Sequence, residues 1–225
     1  ESFAEGDFEK NKEAKTKKSL LYLFKATKDG ESWVNVQPLS INNKEYSVKN
    51  PSVSKDGKTL YFASDMPGGF GLFDIYKVAI NDNGTLGQPE NLGNKINTEG
   101  QEMFPFISDK GILYFSSNGH LGLGGLDVFH TTESGNVVNA GVPVNSNSDD
   151  LAFTINEETG EGYVSSNRPG GKGSDDIYGL KRIEPCIVNV VTTVVDNKTN
   201  NPLAGVAVTI KDANGRVVAT ETSNK

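Results

Sequence analysis

The sequence predicts an all-β protein: a partial β-propeller of four-stranded blades, followed by the start of an immunoglobulin-like β-sandwich. Three observations point there. Gly (25), Asn (23) and Pro (9) make up a quarter of the 225 residues, which suits short strands joined by tight turns better than a helical bundle. One pattern recurs three times between residues 60 and 178, and the tail beyond it is β-branched and alternating.

The repeat carries most of the argument. Its first copy runs Leu60-Tyr61-Phe62-Ala63-Ser64, a glycine-rich loop over 65–73, then Asp74-Ile75-Tyr76. The second runs Leu113-Tyr114-Phe115-Ser116-Ser117, a loop over 118–126, then Asp127-Val128-Phe129, and the third Gly162-Tyr163-Val164-Ser165-Ser166, a loop over 167–175, then Asp176-Ile177-Tyr178. In each copy the last serine lies ten residues before the aspartate, whereas successive aspartates are 53 and 49 residues apart. A fixed strand–loop–strand unit with variable connections is the signature of a structural repeat, and a period near 40–50 residues is that of propeller blades.

Taken in order, residues 1–19 form a polar segment with five acids and five lysines. Leu21–Lys25, Trp33 and Gln37-Pro38-Leu39 parallel the later half of a repeat and read as the last two strands of a preceding blade. The first full blade then reads as strands at Pro51–Ser54, Leu60–Ser64, Asp74–Ile80 and Pro89–Leu92, with Lys55-Asp56-Gly57-Lys58 as a tight hairpin turn. The propeller segment spans 20–183 and holds at most three and a half blades. Closed propellers have about four to eight, so a longer parent protein is expected. Across 184–225, strands are expected at Ile187–Val195, Ala204–Lys211 and Arg216–Glu221, about three of the roughly seven that an immunoglobulin-like sandwich needs.

Charge narrows the partners. The net charge is −7 and all of it falls within 20–183, which disfavours nucleic acid and anionic lipid surfaces. No run of apolar residues is long enough for a transmembrane helix. Glu1 does not open a signal peptide, so an exported form would carry its signal upstream. Cys186 is the single cysteine, so no disulfide framework is available and the thiol reads as an inert linker group.

The units PSVSKDGKTLYFASDMPGGFGLFDIY, FPFISDKGILYFSSNGHLGLGGLDVF and DLAFTINEETGEGYVSSNRPGGKGSDDIY resemble the TolB-like propeller repeats of PorE-like, peptidoglycan-associated outer-membrane lipoproteins of the OmpA family from Bacteroidetes. The tail VVTTVVDNKTNNPLAGVAVTIKDANGRVVATET resembles the opening of a carboxypeptidase regulatory-like domain. The resemblance covers about residues 20–225. It implies a periplasmic, outer-membrane-associated protein that works by protein–protein interaction with other cell-envelope proteins, with a possible place in type IX secretion. Peptidoglycan contact would come through a domain outside these residues.

Enzymatic signals are weak, and the expectation is a non-enzyme with no cofactor and no metal. Ser54–Leu60 is close to a sialidase Asp-box, but the propeller segment has only Arg168 and Arg182 where three converging arginines are needed. Asp149-Asp150, Glu157-Glu158 and Asp175-Asp176 are adjacent pairs, and neighbours in a strand point to opposite faces. There is no Gly-x-Ser-x-Gly elbow, and His120 and His130 are the only histidines. Asn81-Asp82-Asn83-Gly84 lacks the first calcium ligand of an EF-hand, Ala79 standing there, although a surface calcium at an Asp-rich turn stays open. The glycine loops precede strands rather than a helix, which removes the phosphate-loop reading.

Function is therefore sought on the loops. In an antiparallel meander the loop between strands two and three emerges on the same side as the link to the next blade, so the glycine loops should crowd one face with links Gly93–Glu102 and Gly141–Asp150. Met66, Phe70, Leu72, His120, Leu121, Leu123, Arg168 and Lys172 vary within this fixed frame and form the candidate partner face. Asp74, Asp127 and Asp176 are expected to accept hydrogen bonds from the loops that precede them. The alternative function, an oligosaccharide-binding or glycan-processing propeller, asks for aromatic side chains and carboxylates in a central pocket. Trp33, the single tryptophan, lies in an outer strand instead.

Overall fold

The structure is a computed structural model that describes residues 19–183 and 190–224. The chain divides into two compact units, Glu1–Ile183 and Glu184–Lys225. The described residues contain strands and turns and no helix.

In the first unit β1 (Phe24–Asp29) and β2 (Ser32–Pro38) form a hairpin. Two four-stranded antiparallel sheets follow. The first blade is β3 (Val48–Val53), β4 (Thr59–Ser64), β5 (Asp74–Ala79) and β6 (Glu90–Asn91). The second is β7 (Glu102–Ile107), β8 (Leu113–Ser117), β9 (Asp127–Thr131) and β10 (Val137–Asn139). The third has β11 (Asp150–Ile155), β12 (Glu161–Ser166) and β13 (Asp176–Lys181). Successive four-stranded meanders packed face on face are propeller blades.

Local chemistry closes each inner hairpin. Between β3 and β4 the Asp56 carboxylate accepts from Ser54 Oγ (2.6 Å) and the Lys58 amide (3.0 Å), while Gly57 takes φ 71°. Strand alternation then sends side chains to two different cores. On β4, Leu60 and Phe62 pack with Leu23, Ile41, Val48, Tyr76 and Val78, whereas Ala63 packs with Ile75, Ile96, Met103, Leu113, Phe115 and Phe129 of the next interface. On β8 and β9, Tyr114 and Val128 turn the other way, to Phe153, Ile155 and Val164 of the third blade. The sheets of the first and second blades are thus buried on both faces, which explains why their repeat cores read Leu-Tyr-Phe with no polar break.

The third blade departs from expectation: it has three strands among the described residues, not four. After β6 and β10 the chain carries Asn91-x-Gly93 and Asn139-x-Gly141, then Ile96-Asn97 and Val144-Asn145; the residues after β13 have no such series. In the second unit β14 (Ala207–Lys211) pairs with β15 (Val217–Thr222). The strand expected at Ile187–Val195 lies partly outside the described residues. Its described part, from Val190, shows only a bridge from Val195 to Pro202, with most side chains exposed.

The innermost strands β3, β7 and β11 all bulge at the same place. Asn50, Phe104 and Ala152 adopt φ 52°, 53° and 52°, a left-handed conformation in which a non-glycine residue costs energy and usually marks a bulge. These residues and their neighbours Pro51, Pro105 and Phe153 surround a central space of about 300 Å³.

Asparagines in the links, Asn97 and Asn145 buried and Asn42 half-buried, clamp the preceding sheet. Asn97 Oδ1 accepts the Ile75 amide (2.7 Å) and its Nδ2 donates to the Ile75 carbonyl (3.0 Å). Asn145 does the same to Val128, both bonds at 2.8 Å, and Asn42 to Leu23 at 2.9 and 2.7 Å. Replacing Asn145 by Ala orphans the buried Val128 amide, at a cost of about 1–3 kcal/mol, while the Val128 carbonyl keeps the Ala140 amide. Asn145→Ala should lower unfolding free energy by about 1–3 kcal/mol in denaturant titration.

A second joint closes the face away from the glycine loops. Arg182 Nη1 donates to buried Glu157 Oε2 (2.7 Å), and Lys110 approaches the same oxygen at 3.8 Å. Burial works against the charge on Glu157, yet bonds from Arg182 and Ser108 and the field of Lys110 outweigh it and hold the carboxyl below its usual range. Tyr114, whose hydroxyl lies 3.4 Å from Glu157 Oε1, is pushed up to about 12 by burial and then by that carboxylate. A carboxyl depressed in the folded state stabilises fully above its unfolded value of 4.5 and loses that contribution as pH falls through the folded value. The stability gap between the native protein and Glu157→Gln should therefore be constant at neutral pH and shrink below about pH 4.5, read by urea unfolding at successive pH values.

Candidate functional site

The three repeat aspartates sit at the start of β5, β9 and β13, opposite the serines Ser64, Ser117 and Ser166. Each carboxylate reaches back into its own loop. Asp74 accepts the amides of Phe70 (2.7 Å) and Gly71 (3.0 Å), and also Asn91 Nδ2 (2.7 Å). Asp127 Oδ2 accepts from Leu123 and Gly124, both at 2.9 Å. Asp176 Oδ2 accepts from Lys172 (2.8 Å) and Gly173 (3.0 Å). Asp74 and Asp127 are fully buried, so these are charge-assisted bonds inside a low-dielectric site. The loops press so closely on the carboxylates that a Cβ at Gly69, Gly122 or Gly171 would collide with the aspartate of its own repeat.

The inter-blade links lie against the same loops. The Leu72 amide donates to the Gly100 carbonyl (2.8 Å), Glu102 donates to Phe73 (2.7 Å), and Asp150 donates to Leu126 (2.6 Å). Two further buried acids hold the links. Glu102 accepts from Thr98 N, Thr98 Oγ1 and Ser117 Oγ, and Asp150 accepts from Ser146 and from Arg168 Nη2 at 2.5 Å. On β3, Lys49 Nζ lies 2.9 Å from Met103 Sδ and 3.5 Å from the Phe73 ring centre. Burial pushes its ammonium below the usual lysine range, against the pull of Asp65.

This frame divides the eight candidate contact residues. Phe70, Leu72, Leu121 and Leu123 are exposed, Leu121 to 96%, and Lys172 is exposed beside them. Three others are turned to structural use. The Arg168 guanidinium bonds Asp150, Pro143 O and Val144 O and lies over the Tyr178 ring. His120 Nε2 bonds Ile96 O at 2.8 Å and its ring packs on Phe115 and Phe129. Met66 packs against the first blade's core. In each case the loop curls back over its blade, and a long side chain finds buried carbonyls or rings within reach. The sequence reading missed Glu102, Asp150 and the three clamp asparagines. The signal available for the clamps was the aliphatic–Asn pair at Ile41-Asn42, Ile96-Asn97 and Val144-Asn145.

Among the described residues no cluster of His, Cys, Asp and Glu is arranged to hold a metal. The central space is lined by Asn50, Phe104, Phe106, Phe153, Thr154 and backbone of the bulges, with no ionisable side chain.

No family model matches the chain and no curated protein matches it. Among solved structures it is similar to a TolB protein from Agrobacterium tumefaciens, with 16% identity over 91% of this chain and 56% of that one and a TM-score of 0.43. It is similar to a puromycin hydrolase, with 12% identity over 84% of this chain and 35% of the other and a TM-score of 0.39. An endo-arabinase from Bacteroides thetaiotaomicron shows 17% identity over 74% and 72% of the two chains, with a TM-score of 0.44. The chain spans little more than half of the TolB protein and about a third of the hydrolase.

Asp127→Ala removes the only side-chain acceptor of the Leu123 and Gly124 amides among the described residues. It should lower stability by about 1.5–3 kcal/mol and speed hydrogen exchange at Leu123 and Gly124, read by NMR, while the β8 amides stay protected.

Proposed function

We propose that the blades form a non-catalytic docking scaffold of the cell envelope, periplasmic and outer-membrane-associated, whose glycine-loop rim binds another protein. The observation that carries this reading is the pairing of exposed Phe70, Leu72, Leu121 and Leu123 with loop backbone fixed by buried carboxylates. Apolar side chains held in advance lose little freedom on binding, which is what a protein contact surface requires. The acidic balance of the blades favours protein neighbours over nucleic acid or anionic lipid. Placement in the envelope, any part in type IX secretion, and attachment to peptidoglycan through a domain outside these 225 residues come from the family resemblance of the repeats.

A glycan-binding or glycan-processing propeller is the competing reading. Phe104, Phe106 and Phe153 around the central space give it aromatic surface. Hydrolysis of a glycoside also needs two carboxyl groups at a set separation, and none lines that space.

The test is crosslinking and affinity capture from fractionated native cells. The protein should be recovered with the envelope and with a protein partner, and should turn over no peptide, ester or glycoside. Phe70→Asp with Leu123→Asp should weaken capture about tenfold or more with no change in melting temperature. Capture that survives both changes removes the rim as the contact, and recovery as a free cytosolic monomer removes the scaffold.

A further inference from the structure

The glycine loops of the first and second blades meet across a seam filled by the link between β6 and β7. The Leu72 amide donates to the Gly100 carbonyl at 2.8 Å. A Cβ at Gly71 would strike the Thr98 and Gly100 carbonyls and the backbone of Glu99, and one at Gly119 would strike Thr98 Oγ1 and crowd the Gly100 amide. Residues 98–100 therefore lie between Phe70 and Leu72 on one side and the loop of Leu121 and Leu123 on the other. Glu99 stands exposed in that seam, and among the described residues no hydrogen bond or ion pair occupies its carboxylate.

The layer under the seam is acidic as well. Asp74, Glu102 and Asp127 are buried there, and their donors in the loops and the link are neutral amides and hydroxyls. Such donors solvate a charge without cancelling it. Asp127 is the least satisfied of the three: Leu123 and Gly124 both donate to Oδ2, and the buried Oδ1 has no partner. Over residues 65–74, 93–102 and 118–127 the sequence sets five acids, Asp65, Asp74, Glu99, Glu102 and Asp127, against one lysine, Lys95. Half-buried Lys49 packs in from β3 against Met103 and Phe73. Carboxylates held in a low-dielectric layer project their field through the surface above them.

We propose, on the reading that the glycine-loop rim is the contact surface, that the protein partner docks on this seam through a basic amphipathic segment, an arginine or lysine set between aliphatic side chains. The cation pairs with Glu99 and lies in the field of Asp127. Its aliphatic neighbours cover Phe70 and Leu72 on one flank and Leu121 and Leu123 on the other, all four of which are exposed. Apolar contact supplies the affinity, while opposite charge sets the register and turns away acidic competitors. Arginine suits the place better than lysine, since its planar guanidinium meets a carboxylate with two hydrogen bonds and still packs on apolar surface.

The probes are synthetic peptides LRLRL, LQLQL and LELEL, acetylated and amidated at their ends, each titrated into the isotope-labelled 225-residue protein. The arginine peptide should give saturable shifts at Phe70–Leu72, Glu99 and Leu121–Leu123 and bind about tenfold tighter than the glutamine peptide, with the glutamate peptide weaker still. Raising salt from about 0.05 to about 0.5 M should remove most of that difference. Glu99→Gln and Asp127→Asn delete charge at nearly constant shape; each should weaken the arginine peptide about threefold or more and leave the glutamine peptide unchanged. Equal affinity of the arginine and glutamine peptides at the rim would overturn the basic partner and leave the rim as a contact surface. Binding of the arginine peptide that ignores both substitutions would overturn it too, reducing the attraction to the net charge of the chain. Shifts at no rim residue with any of the peptides would overturn it together with the rim itself.

Discussion

The structure depends on a side chain that imitates a strand. Asn42, Asn97 and Asn145 each present one acceptor and one donor to the amide and carbonyl of a single residue at a sheet edge. The carbonyl of that residue also takes a backbone amide, from Leu39, Leu92 or Ala140, but its own amide has no backbone partner, and burying that amide unpaired would cost about 1–3 kcal/mol. The asparagine supplies both bonds from the link, so the chain entering the next blade seals the edge of the last. Because Ile41, Ile96 and Val144 precede the asparagines, the same link delivers aliphatic surface to the interface between sheets.

The glycine-loop rim follows from a complementary constraint. A buried carboxylate needs charge-assisted donors, and the loop supplies two amides to each of Asp74, Asp127 and Asp176. Loop and carboxylate therefore specify one another. The backbone comes close enough that only glycine fits at Gly69, Gly122 and Gly171, and the residues between those glycines and the aspartates have fixed positions whatever their side chains are. That separation of frame from content lets Phe70 and Leu123 project apolar groups to solvent while Arg168 folds back on Asp150. A rigid frame with exchangeable tips is suited to recognition of a partner surface.

Blade stacking also makes the blades unequal. A sheet in the series is buried on two faces only when both neighbours are present. The first and second blades meet that condition, with Ala63, Ile75 and Val128 wholly enclosed. The third blade buries Val164 on its inner side and leaves Tyr163 and Ile177 in solvent on the other. The energetic asymmetry between equivalent residues comes from neighbours and not from the residues themselves.

The sequence by itself determined the strand class, the repeat, the hairpin turns and the pairing of serine with aspartate, because all of these rest on local periodicity, on turn chemistry, or on a spacing that recurs. It also marked which loops share a face, since a meander fixes that by parity. Tertiary structure decided which loop side chains stay outside. Met66, His120 and Arg168 occupy loop positions like those of Phe70 and Leu123, yet each turns inward because rings or carbonyls of the adjoining link lie within its reach. It also decided that the third blade carries three strands among the described residues, and that Glu102 and Asp150 are buried where the first blade has Val48. Those outcomes depend on contacts between residues far apart in the chain, and local pattern holds no information about what packs against it.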